Sequence, residues 1–359
     1  MDFAVYLDNF LLIMILTVFF SFLIDLFIGD PKSKYHPVML IGKTIEWVKQ
    51  KFRTGKSKLD KLLGVVLLML VIMIFCIPVF FLQILIWWFW NFWNPDDWYT
   101  PSFITIISIS LIMGFLLKWP FAVKSMGKST LPIGKALLEG DLLKARTDLS
   151  LIVRRDTDIL SEDHIISATV ECIAESSTDA ITSVIWFYFM GNLIGVIIFI
   201  FFHNNYFWLF LGLPLAYSYR VINTADSVVG YKDPEHINIG WFSARMDDFA
   251  NFIPTRLTVL FMLIAGKIMK KDVKNGWNIL KLDRGNTESV NAGWTMGTMA
   301  GLLNIQLEKI GKYKLGIPTR ALEPKDIIVS YHIFLLTVFL YVFTLLIITI
   351  LIISLLFLL

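Results

Sequence analysis

The chain has little charge and almost no cysteine. Asp, Glu, Lys and Arg make up 17% of its 359 residues, and the formal net charge is +3. A balance this near neutrality excludes a protein that grips nucleic acid through bulk positive charge. Only Cys76 and Cys172 are present. Neither has a metal-ligand spacing, and two isolated thiols make no disulfide framework. No GxSxG elbow, no HExxH helix and no GxGxxG turn after a strand occurs. The stretch AVKSMGKS at 122–129 fits a loose phosphate-loop pattern. Such a loop needs a strand before it and a helix after it, whereas here an apolar run comes first and Pro132 interrupts the segment on the other side. The opening residues, MDFAVYLDNF, lack the basic region of a signal peptide, so the first apolar run is expected to be a retained span.

What the chain has is apolar surface. Hydrophobic residues make up 56% of it, and its mean hydropathy is +0.68. Both values place it among membrane proteins. Apolar runs at about 10–28, 63–90, 102–117, 181–202, 206–219 and 333–359 are the expected spans, since a hydrocarbon core takes roughly 20 residues. The run at 206–219 contains Gly212 and Pro214 and also reads as a half-span or hairpin arm. Lysine and arginine crowd the connections 29–62 and 118–180 and recur in 218–252 and 270–330. They are missing from 91–101 and from the HNNY link at 203–206. The positive-inside bias then puts 29–62, 118–180 and the long connection 218–332 in the cytoplasm, with both termini outside. On this reading LTVLFMLIAG at 257–266 is too short to cross and is a buried or interfacial helix. Leu137 to Asp163 has helical spacing, and strand signals are weak throughout. The expectation is an all-α, multi-pass bundle in the cell membrane. It forms a single integral domain over 1–359, with cytoplasmic helices docked on its inner face.

One polar stretch, Asn223 to Arg256, lies between two apolar segments and holds Asn223, Asp226, Arg245, Asp247, Asp248, Asn251 and Arg256. Carboxylates suit a hard cation such as Mg²⁺, which binds through one or two of them plus a substrate phosphate; arginine suits the phosphate. Asn223 and Asp226 are three residues apart, and Asp247 and Asn251 four. On helices each pair shares a face, so two helical ends can converge on one Mg²⁺–phosphate; the plain alternative is helix capping at a membrane edge. Glu171, Glu175 and Asp179 repeat at four-residue steps, which puts three carboxylates on one helical face. Like charges so placed repel unless a cation joins them. Arg154, Arg155 and Asp156 form a basic-acidic cluster suited to phosphate or to a surface ion pair. Asp25, Asp30 and His36 lie at the inner end of the first span, where an ionisable group is a functional candidate.

These residues fall in blocks that carry a resemblance. LIDLFIGDPKSKYHPVMLIGK at 23–43, ALLEGDLLKARTDLSLIVRRDT at 136–157 and ATVECIAESSTDAIT at 168–182 come first. YRVINTADSVVGYKD at 219–233, GWFSARMDDFANFIPTRLT at 240–258 and NAGWTMGTMAGLLNIQLEK at 291–309 complete the set. In this order they resemble the CobD/CbiB membrane proteins of cobalamin biosynthesis, the adenosylcobinamide-phosphate synthases. The resemblance implies a ligase that joins the carboxylate of adenosylcobyric acid to aminopropanol or its O-phosphate, with ATP and Mg²⁺. It also implies membrane lipid as surroundings, no nucleic acid, and self-association or a complex with other enzymes of the pathway. Residue by residue, it implies catalytic roles for Glu175, Asp179, Asp226 and Asp248. Arg155, Asn223, Arg245, Asn251, Arg256, Asp30 and His36 would bind substrate or phosphate. Glu171, Glu175, Asp226, Asp247 and Asp248 would hold the metal. The chain departs from the pattern at Arg154, where the family usually has glycine, at Ser176, usually asparagine, and at Ala180, usually glycine. The last asks whether that turn needs a positive φ. Two other readings stay open: an intramembrane prenyltransferase, whose usual NDxxDxxxD spacing is not continued after Asp226, and a non-catalytic membrane sensor related to the family.

Overall fold

The computed structural model describes residues 3–31, 36–93, 102–202 and 210–358. The HNNY link and most of the 91–101 connection lie outside them. The described chain is helical apart from one short hairpin. It divides into two compact units, each assembled from separate stretches. One comprises Met1–Ala122, Val184–Phe249 and Thr344–Leu359; the other comprises Val123–Ser183 and Ala250–Phe343.

In the first unit α1 (Phe3–Phe27) packs along α4 (Phe103–Lys118). A second group joins α2 (Pro37–Phe52), α3 (Ser57–Trp93) and α9 (Gly212–Val229). Its core is Ile41, Ile45 and Val48 of α2 against Leu67, Leu68 and Val71 of α3 and Val221, Ala225 and Val229 of α9. The three- and four-residue steps on α2 give it one apolar stripe, which it buries against α3, a helix apolar on every side, and this burial holds the group together. α2 begins where Pro37 fixes φ at the first helical position and His36 Nδ1 accepts from the Val38 N–H at 3.1 Å. α8 (Ser183–Phe202) and α10 (Trp241–Ala250) complete the helices named from this unit.

The second unit contains α5 (Val123–Leu138), α6 (Leu142–Ser150), α7 (Glu162–Ser177), α11 (Phe252–Ile268), α12 (Val273–Asp283) and α13 (Ala292–Leu303). It also contains the antiparallel hairpin β1 (Leu307–Lys309) and β2 (Tyr313–Leu315). α14 (Lys325–Leu358) closes the chain. Side-chain caps set several starts: Asp141 accepts from the Lys144 N–H, Ser161 from His164 and Asp272 from Asn275. The helical reading of 137–163 therefore holds only for α6 and the flanking turns. Residues 151–161 are turn and coil, and they carry Arg154 and Arg155.

Among the described residues four helical stretches are long and apolar enough to cross a membrane: Asp8–Phe27, Ser57–Ile86, Glu162–Phe201 and Lys325–Leu356. The count rises to six if two bent pairs, Phe103–Lys118 with Val123–Leu138 and Trp241–Ala250 with Phe252–Ile268, are each one span. The segment 257–266 is thus part of a 17-residue helix, longer than its apolar run. α9, which takes up the 206–219 run from Gly212 on, continues to Val229 and is not among the long apolar helices. The phosphate-loop look-alike at 122–129 lies almost wholly inside α5. Gly127 there serves packing, since a Cβ on it would come within 2.4 Å of the Tyr331 hydroxyl oxygen.

Candidate functional site

The second unit holds an open cavity of about 380 Å³. Its walls are Ile152, Val153, Arg154 and Arg155 from the turn after α6, Ala168, Glu171, Cys172 and Glu175 from α7, and Lys309 and Tyr313 from the hairpin. Glu171 is the centre of this arrangement. Its side chain is only 3% exposed, and a carboxylate so buried must be paired and hydrogen-bonded to remain ionised. Arg155 Nη2 donates to its Oε2 at 2.7 Å, the Tyr313 hydroxyl donates to the same oxygen at 3.0 Å, and the Ser167 hydroxyl donates to Oε1 at 2.8 Å. Burial and the Glu171 charge together push the Tyr313 phenol far above its ordinary range, so it stays a donor. The hairpin is tied down by the same residue that supports Glu171, because the Glu308 N–H donates to Ser167 Oγ at 2.7 Å. Lys309 and Tyr313 are directly paired across the strands, which gives both access to one wall.

Glu171 and Glu175 thus share one wall, as the four-residue spacing indicates. Asp179 does not line the cavity. From Thr178 to Thr182 the helix is wound as a π turn, wider than an α turn, and this ends the row of four-residue steps. Ala180 lies in that turn with no positive φ, so its backbone imposes no demand for glycine.

The first unit holds the α9–α10 acids. Asn223 Nδ2 donates to Asp247 Oδ1 at 3.2 Å, and Arg220 Nη1 donates to Asn223 Oδ1 at 3.1 Å. Asp226 is one turn further along α9, under its Gly230 cap. A Cβ at 230 would meet the Asp226 carboxylate at 1.9 Å. Burial, and then the charge of Asp248, raise the Asp226 carboxyl to about 6. Arg245 of α10 is exposed.

The remaining candidates have other surroundings. Asn251, expected beside Asp247 on a phosphate, is 1% exposed and accepts from the Ser183 hydroxyl at 2.6 Å within the second unit; it sits at the α10–α11 junction, where the shared helical face ends. Arg256 donates to Asn291 Oδ1 at 2.6 Å. Asp30 and Asp25 both lie against Lys118, which is 1% exposed. The His36 Nε2 is 3.2 Å from Asp30. Because His36 Nδ1 accepts at the start of α2, its neutral ring carries the proton on Nε2 and donates to Asp30. Sequence reasoning missed Lys118, Lys309 and Tyr313. The first reads as an ordinary basic residue at a helix end, and the other two lie in strands of three residues.

Among the described residues no three His, Cys, Asp or Glu side chains gather into a cation site. The five carboxylates expected on metal divide between the units, Glu171 and Glu175 in one and Asp226, Asp247 and Asp248 in the other. Mg²⁺ needs only one or two carboxylates when substrate phosphate supplies the rest. The Asp226–Asp248 pair, whose mutual charge raises a carboxyl, is chemically suited to such an ion. The cationic wall of Arg154, Arg155 and Lys309 is suited to phosphate.

Fold and sites together define an all-α membrane protein with a charged, water-accessible cavity. The family described as "CobD/Cbib protein" matches residues 18–334. A "Probable cobalamin biosynthesis protein CobD" of Methanothermobacter thermautotrophicus is 34% identical over 88% of this chain and 91% of its own length. A "Cobalamin biosynthesis protein CobD" of Dehalococcoides mccartyi is 33% identical over 86% and 89%. A "Probable cobalamin biosynthesis protein CobD" of Methanocaldococcus jannaschii is 32% identical over 83% and 87%. No solved structure matches the chain. The chain belongs to the CobD/CbiB family of cobalamin biosynthesis proteins.

Proposed function

We propose that the chain is an amide-forming ligase of the cobalamin pathway, joining the free carboxylate of adenosylcobyric acid to aminopropanol or its O-phosphate at the expense of ATP. The observation that carries this reading is the Glu171 cluster. Three cationic side chains and two carboxylates wall one cavity, and family membership supplies the reaction class. A carboxylate does not condense with an amine at neutral pH. It first attacks the terminal phosphorus of ATP, giving an acyl phosphate and ADP; the amine nitrogen then attacks the acyl carbon, releasing phosphate and a proton. Catalysis of this kind is mostly positioning and charge neutralisation. Arg154, Arg155 and Lys309 bind phosphate oxygens; Glu171, itself held by the Tyr313 hydroxyl, keeps Arg155 in place. Glu175, exposed at the mouth of the cavity, takes the proton from the amine. Mg²⁺ held by the substrate phosphates and a carboxylate of the cavity wall would supply charge neutralisation for the phosphoryl transfer. The positive-inside bias favours a cytoplasmic active face.

The test is turnover by purified protein in detergent with adenosylcobyric acid, aminopropanol phosphate and MgATP, followed by chromatography of the corrinoid product. Formation of the corrinoid amide with loss of ATP is the expected result. A well-folded preparation that makes no amide, and that does not restore cobalamin synthesis in a strain lacking the synthase, ends the proposal in favour of the sensor reading.

A further inference from the structure

Arg256 is oriented but not neutralised. Its Nη1 donates to Asn291 Oδ1 at 2.6 Å and to the Phe252 carbonyl at 2.8 Å, and neither acceptor is charged. The guanidinium carbon stands 3.7 Å from the centre of the Phe252 ring and 4.3 Å from that of Trp294. Stacking fixes its plane. Its other edge, the Nε–H and Nη2–H fork that fits two oxygens of one oxyanion, meets no protein acceptor among the described residues. Arg284, at the end of α12, brings a second guanidinium to 5.1 Å from the same indole. It is exposed, and among the described residues it has no carboxylate partner.

Two cations on one ring lie within roughly a Debye length of each other, where their repulsion is only partly screened. An indole face offsets part of this through its quadrupole. A dianion between the two guanidiniums would offset much more. We propose that Arg256, Arg284 and Trp294 form a binding site for a phosphate group, with Asn291 and Phe252 as positioning residues for Arg256. A carboxylate carries one charge and two oxygens and would satisfy only one guanidinium. A phosphate presents up to two charges and enough oxygens for both forks. Phe252, stacked on Arg256, is itself half exposed, so a molecule that brings an apolar body with its phosphate also fits. The chemistry is common to a membrane lipid headgroup and to a soluble phosphate compound. The site does not depend on the proposed amide chemistry, and its test uses no turnover.

The full-length protein in a neutral detergent is titrated with inorganic pyrophosphate by calorimetry. In parallel it is placed in nanodiscs of phosphatidylcholine with and without phosphatidic acid, whose monoester phosphate can carry two charges, and thermal unfolding is followed. Binding or stabilisation by at least one probe is expected, weakening as salt rises. Pyrophosphate binding in detergent that depends on Arg284 identifies a soluble ligand; stabilisation by phosphatidic acid alone identifies a lipid. Arg284→Ala removes an exposed side chain with no protein hydrogen bond, so the fold is retained, and it weakens the response at least about tenfold. Arg284→Lys keeps the charge without the planar fork and recovers only part of it. A wild-type protein that responds to neither probe overturns the proposal, as does an Arg284→Ala protein that responds as the wild type does.

Discussion

Replacing Asp226 by asparagine is expected to stabilise the protein at neutral pH. Its carboxyl has an ordinary value of 3.8 and is raised to about 6 in the fold, first by burial and then by Asp248. A raised carboxyl means that the folded state binds its proton more tightly than the unfolded state does. The associated stability is fully present below the unfolded value and is lost as pH rises through about 6. At pH near 7.5 the ionised side chain therefore costs up to about 3 kcal/mol, since each tenfold tightening of proton binding is worth about 1.4 kcal/mol. Asp226 keeps some solvent contact, which brings the expectation to about 1–2 kcal/mol. Asp226→Asn removes the charge and keeps the shape. Its unfolding midpoint in detergent should lie a few degrees above wild type at pH near 7.5, and the gap should close as pH falls toward about 4. Millimolar Mg²⁺ should stabilise wild type and leave the variant unmoved, because an ion gives the two carboxylates a reason to stay charged. A variant less stable than wild type at pH near 7.5 would refute the reasoning, by showing that the carboxylate is held by a favourable partner.

Other changes test other contacts. Glu171→Ala strands Arg155 in a largely buried site and should lower unfolding free energy by about 3 kcal/mol or more, read by chemical denaturation. Tyr313→Phe removes one hydrogen bond to the same carboxylate and should lower it by about 1–2 kcal/mol. Lys118→Met leaves Asp25 and Asp30 without their common cation; a loss of about 3–5 kcal/mol is expected, and adding Asp30→Asn should recover part of it. Gly230→Ala drives a methyl into the Asp226 carboxylate and should cost about 1–3 kcal/mol, with circular dichroism reporting the unfolding midpoint. Ala180→Gly should leave activity unchanged, because the π turn there contains no positive φ.

The apolar runs made the helices legible, because length and hydropathy alone select a long helix when no charge interrupts it. Spacing also brought out Glu171 and Glu175, since an undisturbed α-helix stacks such residues on one side. The same spacing puts Asp179 on that side too, wrongly for the cavity wall, because nothing in TDAIT signals the extra residue that widens a turn. Spacing puts Asn251 on the Asp247 face; the helix breaks at that residue, a bend the sequence does not signal, and its amide oxygen accepts from Ser183. The hairpin left no trace, as LEK and YKL are too short to show alternation. Lys118 carried no mark of burial either, because its partners are 88 and 93 residues away in sequence, at Asp30 and Asp25.

Short as it is, the hairpin bears on how the cavity can vary. Lys309 and Tyr313 face each other across a turn of three residues, Ile310 to Lys312, in which Gly311 takes a left-handed φ of 71°. One side of the cavity is therefore a small cassette mounted on a helical scaffold. A longer or re-lettered loop would leave the helices where they are, so changing the three residues between the strands would be a direct way to reshape that wall.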